Sequence, residues 1–147
     1  MIRPATSDDL PDLLVLLKQL FSIEEDFLFD AEKQIRGLEL LLQKDNGQIL
    51  VAEVDGRVAG MATGQLLVST AEGSLALLVE DVVVSPSHQG HGIGPALLEA
   101  VGDWGRACGA FRMQLLADLG NNRALEFYKK QKWQETRLIC LRKYHEW

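Results

Sequence analysis

Gln89-Gly90-His91-Gly92-Ile93-Gly94 lies between an apolar, β-like run from Leu77 to Val84 and a helix-like run from Ala96 to Ala107. A glycine-rich turn at a strand-to-helix junction lets the backbone come close to a ligand, because glycine has no Cβ to block the approach. The unpaired N–H groups at the start of the helix favour negative charge. The stretch therefore reads as an oxyanion cradle, best suited to phosphate.

Spacing decides which cradle it is. A dinucleotide fingerprint needs Gly-x-Gly-x-x-Gly, whereas these glycines fall at 90, 92 and 94. A Walker loop needs Lys and then Ser or Thr after its last glycine, and here Pro95-Ala96 follows. The pattern that fits is Gln/Arg-x-x-Gly-x-Gly/Ala. In that respect the chain resembles the GNAT superfamily of acetyl-CoA-dependent N-acetyltransferases, in which this loop holds the pyrophosphate. The resemblance implies cofactor contacts from Gln89, Gly90, His91, Gly92, Ile93, Gly94 and Pro95, with acetyl-CoA as cosubstrate.

The order of elements agrees along the chain. Periodicity predicts a short strand at Met1–Ala5, then a helix opened by Ser7-Asp8-Asp9 with an apolar stripe of Leu10, Leu13, Leu14, Leu17, Leu20 and Phe21. A second helix is predicted from Ala31 to about Lys44. Strands follow at 48–54, 57–69 and 75–84, with a hairpin turn at Asp55-Gly56. The helix after the glycine loop, a strand at 112–117, a short helix at 121–131 and a closing strand at Trp133–Leu141 complete the chain. The expected fold is α/β (α+β), with a central mixed, mostly antiparallel sheet flanked by helices. It forms one N-acetyltransferase domain over residues 1–147. The opening Ile2-Arg3-Pro4-Ala5-Thr6 is also family-like.

Composition bounds the function. The chain has 147 residues and a net charge of −6, with no Lys/Arg cluster of the kind a nucleic-acid binder needs. Cys108 and Cys140 are too few and too far apart for a disulfide framework, and read as buried free thiols. His88, His91 and His145 lack metal-ligand spacing, so no metal is expected. No signal-peptide pattern or membrane-length apolar run is present, which points to a cytoplasmic location without a membrane partner. The resemblance also allows a homodimer.

Acetyl transfer from a thioester to an amine makes three chemical demands. The acceptor must lose a proton, because a primary amine is mostly ammonium at neutral pH. Glu80-Asp81 offers two carboxylates inside an apolar strand. Successive strand residues face opposite sides, so one of the pair faces a given site. The resemblance selects Glu80 as base and leaves Asp81 structural. The carbonyl oxygen must be stabilised as it gains charge. The resemblance places pantetheine along the backbone of Val82, Val83 and Val84, where an N–H can polarise the thioester. The departing thiolate benefits from an acid. Asn121-Asn122-Arg123-Ala124-Leu125-Glu126-Phe127-Tyr128 resembles the family's Asn-x-x-Ala-x-x-aromatic-Tyr block, which implies that Asn121 holds the pantetheine arm and Tyr128 is the acid. The family usually continues with Gly-Phe, where Gly is left-handed. This chain has Lys132-Trp133.

The acidic segment Glu24-Glu25-Asp26 lies between the first two helices, where the family lines its acceptor pocket. With the Glu80 context and the Tyr128 block, it resembles the diamine and polyamine acetyltransferase branch. The implied acceptor is a small cationic amine. A protein N-terminus or lysine, and a non-catalytic acyl-CoA-binding sensor, are the alternatives.

Overall fold

Five strands form one mixed sheet in the first 115 residues of this computed structural model, which describes residues 1–24 and 26–145. In chain order the elements are β1 (Ile2–Pro4), α1 (Leu10–Ile23), α2 (Ala31–Leu42), β2 (Gly47–Val54), β3 (Arg57–Ser69), β4 (Ser74–Val84), α3 (Ile93–Ala107) and β5 (Ala110–Gln114). The strand order is β1-β2-β3-β4-β5. The first four strands are antiparallel to their neighbours, and β5 runs parallel to β4. This is the expected α+β architecture. A second compact unit, Leu116–Trp147, contains α4 (Asn122–Lys130).

Local chemistry explains the turns and the helix starts. Asp55 and Gly56 both have positive φ (51° and 77°), as a two-residue type I′ hairpin requires, so β2 returns directly as β3. Pro11 sits in the first turn of α1, where a missing N–H costs nothing. Asp30 caps α2 by accepting from the Lys33 N–H.

Helices cover both faces of the sheet. Leu13, Leu16 and Leu17 of α1 and Leu38 of α2 pack with Ile49, Val51, Met61 and Val83 in one core cluster. Side chains alternate along β3, so Gly60 and Gly64 face the other way, toward Leu97 and Val101 of α3. A Cβ on Gly64 would come within 3 Å of both Val101 and Leu77, so α3 sits closer to β3 than any side chain there would allow. At the first strand Arg3 reaches Asp9 through two nitrogens (2.8 and 2.9 Å) and Glu53 through Nε. The guanidinium holds the Asp9 carboxyl below its ordinary value. One residue of the family-like opening thus ties β1 to the start of α1 and to β2.

Three expectations need correction. The helix after the glycine loop begins at Ile93 rather than Ala96, so it starts inside the loop. Cys108 and Cys140 are free but exposed. Cys108 follows the last turn of α3, past the end of its buried stripe. Finally, residues 133–141 form no strand, and Leu138, Ile139 and Leu141 are 87%, 79% and 85% exposed. A strand satisfies its backbone only by pairing, and the second unit contains no other strand among its described residues.

Candidate active site

A bulge in β4 builds the acidic part of the site. Thr63 pairs with Glu80, and two residues earlier on β3 Met61 pairs with Val83, three residues on along β4. β4 therefore carries one extra residue. Asp81 takes up the irregularity with a left-handed φ of 51°, a conformation that Asp tolerates better than most residues. Glu80 lies opposite Thr63 and shares its face. Thr63 Oγ1 donates to the Glu80 carbonyl (3.0 Å) and lies 3.4 Å from Asp81 Oδ2, which puts Asp81 on that face as well. An unbulged strand would have turned Asp81 to the opposite side. The expectation that only one carboxylate serves a given site is therefore overturned by the bulge.

The two carboxyls differ in environment. Asp81 is partly buried, and desolvation pushes it up to about 7, helped by repulsion from Glu80 and Glu24. Glu80 is more exposed, and desolvation raises it in the same direction. Both shifts move a carboxyl toward the range in which it can accept a proton near neutral pH.

The acidic segment after α1 is held at its edges. Phe27 packs on Phe21 of α1 (5.8 Å between centroids), and Lys18 lies over the Phe29 ring. Glu24 ends α1 and acts on Asp81, so it belongs with the carboxylate pair. Asp26 is exposed, and Glu25 lies outside the described residues.

The glycine-rich stretch begins where β4 ends. Two side-chain amides meet the Val84 carbonyl: Gln19 Nε2 from α1 at 2.8 Å and Gln89 Nε2 at 3.0 Å. Gln89 thus anchors the start of the loop to the strand end. Gln19 was not legible in the sequence, because a polar residue on a helix carries no sign of a partner 65 positions away. Beyond Gln89, Gly90 and Gly92 have φ of 80° and 83°, with nothing within 4 Å of either Cβ position. His91 is exposed, its Nδ1 3.3 Å from the His88 carbonyl. Gly92 is the N-cap of α3 and has no side chain to cap that helix start, so Gly92 itself leaves the first N–H groups of the helix uncapped. Gly94 and Pro95 lie in this first turn.

Val82, Val83 and Val84 sit on an open edge. β5 pairs with β4 only from Leu75 to Leu78, so among the described residues the 79–84 edge on that side has no strand partner. Unpaired backbone at a sheet edge accepts an added extended chain. The open edge suits a pantetheine arm and the glycine loop suits a pyrophosphate. The Val84 carbonyl, already bonded to two amides, contributes little to that edge.

In the second unit Asn121 is the N-cap of α4, its Oδ1 accepting from the Ala124 N–H at 3.1 Å. Tyr128 is partly buried, its ring in edge contact with Phe127 (5.2 Å) and Trp133 (5.9 Å). Among the described residues no group of His, Cys, Asp and Glu could hold a metal ion, and no helix is long and apolar enough to cross a membrane.

Comparison with known proteins is consistent with this geometry. The sequence model of the acetyltransferase (GNAT) family matches residues 14–133. An uncharacterized N-acetyltransferase of Methanocaldococcus jannaschii is 27% identical over 140 residues, covering 94% of this chain, which spans 62% of that relative's length. An uncharacterized N-acetyltransferase of Archaeoglobus fulgidus is 27% identical over 132 residues, covering 88% of this chain and 90% of the relative. Among solved structures, the aminoglycoside N-acetyltransferase AAC(6')-Iy in complex with CoA superposes with a TM-score of 0.83 at 25% identity, covering 97% of this chain and 93% of that one. An aminoglycoside acetyltransferase from an uncultured soil metagenomic sample, in complex with sisomicin, superposes with a TM-score of 0.80 at 23% identity, covering 99% and 96%.

Proposed function

The chain belongs to the acetyltransferase (GNAT) family, and from that premise we propose that it transfers an acetyl group from acetyl-CoA to the primary amine of a small cationic acceptor. The observation that carries this reading is the bulge, which puts Glu80 and Asp81 on one face of β4, the strand whose end leads into the glycine loop.

Acetyl-CoA supplies the activated acetyl thioester. Gln89 to Pro95 hold its pyrophosphate, and the open edge at Val82 and Val83 takes the pantetheine arm and offers an N–H to the thioester carbonyl. The Asn121 side chain, whose oxygen is committed to capping α4, contributes its amide N–H groups to the arm. Glu80 is the base that removes the ammonium proton, and the free amine attacks the carbonyl carbon directly. The C–N bond forms, the C–S bond breaks, Tyr128 protonates the departing thiolate, and the surplus proton on the attacking nitrogen returns to the Tyr128 phenolate as the amide forms. Glu24, Glu25 and Asp26 attract the cationic acceptor, a diamine or polyamine in the first instance.

A turnover assay across diamines, aminoglycosides, uncharged amines and peptides tests this reading. Transfer to the diamines, weakening as salt rises, supports it. So does a higher Michaelis constant for the diamine, with that for acetyl-CoA unchanged, when Glu24, Glu25 and Asp26 become Gln, Gln and Asn. Transfer only to peptides would replace the acceptor with a protein. Acetyl-CoA binding without turnover on any acceptor would make the chain a sensor.

A further inference from the structure

We propose that Thr63 is the positioning residue of the carboxylate pair: its hydroxyl holds the β4 bulge through the Glu80 carbonyl and sets the orientation of the Asp81 carboxyl. This inference rests on the acetyl-transfer reading for its link to turnover, but its geometry does not.

Thr63 is 1% exposed, on β3, in the otherwise apolar or small run Gly60-Met61-Ala62-Thr63-Gly64. A buried hydroxyl needs a partner, and Thr63 has two acceptors within reach, the Glu80 carbonyl at 3.0 Å and Asp81 Oδ2 at 3.4 Å. A hydroxyl carries one hydrogen and can satisfy only one of them as a donor. When Asp81 is protonated it places no demand on the Thr63 hydrogen, and Thr63 donates to the Glu80 carbonyl. When Asp81 is ionised its oxygen competes with that carbonyl for the single Thr63 proton. The bulge that brings Glu80 and Asp81 to one face is therefore linked, through Thr63, to the charge on Asp81.

The surrounding charges favour the protonated carboxyl, with the Thr63 hydrogen on the Glu80 carbonyl. Those acting on Asp81 are Glu80 on its own strand and Glu24 at the end of α1, both acidic. Among the described residues, no charge from α3 or β5 acts on it. Its carboxyl at about 7 is what that setting requires, and the Thr63 hydroxyl pulls the value down.

The test follows the Asp81 carboxyl directly, by NMR titration of 13C-aspartate-labelled protein, alongside steady-state kinetics. Thr63→Val should move the Asp81 midpoint up by roughly half to one pH unit, the size of one lost hydrogen bond. It should lower kcat about 10-fold and leave the KM for acetyl-CoA unchanged, and Thr63→Ser should restore both. Should Thr63→Val fail to fold, Thr63→Ala gives the same reading. An unmoved midpoint with full kcat, or a Thr63→Ser variant as impaired as Thr63→Val, would overturn the proposal. A wild-type protein that acetylates no amine would sink the acetyl-transfer reading, while the Asp81 titration would still decide the role of Thr63.

Discussion

The backbone N–H of Trp133 donates to the carbonyl of Tyr128 at 3.0 Å, and their rings meet edge to face at 5.9 Å. Lys132 donates to the Lys129 carbonyl and lies at φ 67°, so α4 closes in a Schellman motif with a lysine in the left-handed position. The family's glycine is absent, yet its conformation is kept. That conformation costs a non-glycine residue on the order of 1 kcal/mol. Lys132→Gly should therefore raise the melting temperature by about 3 °C, and Lys132→Val should lower it. Calorimetry decides, and an unchanged Lys132→Gly would mean that the lysine is not strained.

Glu80→Gln and Tyr128→Phe each remove a proton carrier while keeping the side-chain size. Turnover should fall roughly 10- to 1000-fold in each, with acetyl-CoA affinity unchanged. The Glu80 variant should also lose the low-pH limb of the rate profile. Wild-type rates at every pH would remove both residues from the mechanism.

Asp81 makes the stability depend on pH with a sign opposite to that of most acids. Its folded value, about 7, lies above the ordinary 3.8, so the folded state holds a proton that the unfolded state releases. Stability contributed by this group is complete below pH 4 and falls as pH rises from 4 to 7. Asp81→Asn removes the penalty and tolerates the left-handed φ. At pH 8 it should be more stable than wild type by up to about 4 kcal/mol, and the advantage should vanish near pH 4. Equal denaturation midpoints at both pH values would show that the carboxyl is not held up.

Gly92 joins the cradle to α3. At φ 83° with open space around its Cβ position, it meets a backbone limit rather than a steric one. Gly92→Asn should keep the turn and bind acetyl-CoA more weakly. Gly92→Val, with a branched side chain in a left-handed position, should abolish binding and also distort the start of α3. Calorimetric titration with a circular-dichroism control tests the pair, and full affinity in Gly92→Val would remove the loop as the pyrophosphate site.

Much of this molecule was legible in one dimension. The 3.6-residue stripes located α1, α2 and α3, the Asp55-Gly56 pair placed a hairpin, and the glycine spacing separated this loop from two other phosphate cradles. Each of these signals is local, because periodicity, turn chemistry and backbone freedom depend on neighbours within a few positions. The strand expected at 133–141 shows the limit of that logic: an apolar run carries strand propensity, but pairing requires a partner elsewhere.

The sequence by itself determined the order of elements from β1 to α4, the strand-loop-helix cradle and the supply of acids along β4. Only the tertiary structure decided which way those acids face. One extra residue in β4, matched against β3, turns Asp81 to the side of Glu80 and puts the Asp81 carboxyl and the Glu80 backbone carbonyl within reach of the Thr63 hydroxyl. Gln19 reaches the end of β4 only because α1 packs on the same sheet. Register and helix placement are set by long-range packing, and no window of sequence contains both partners of such a contact.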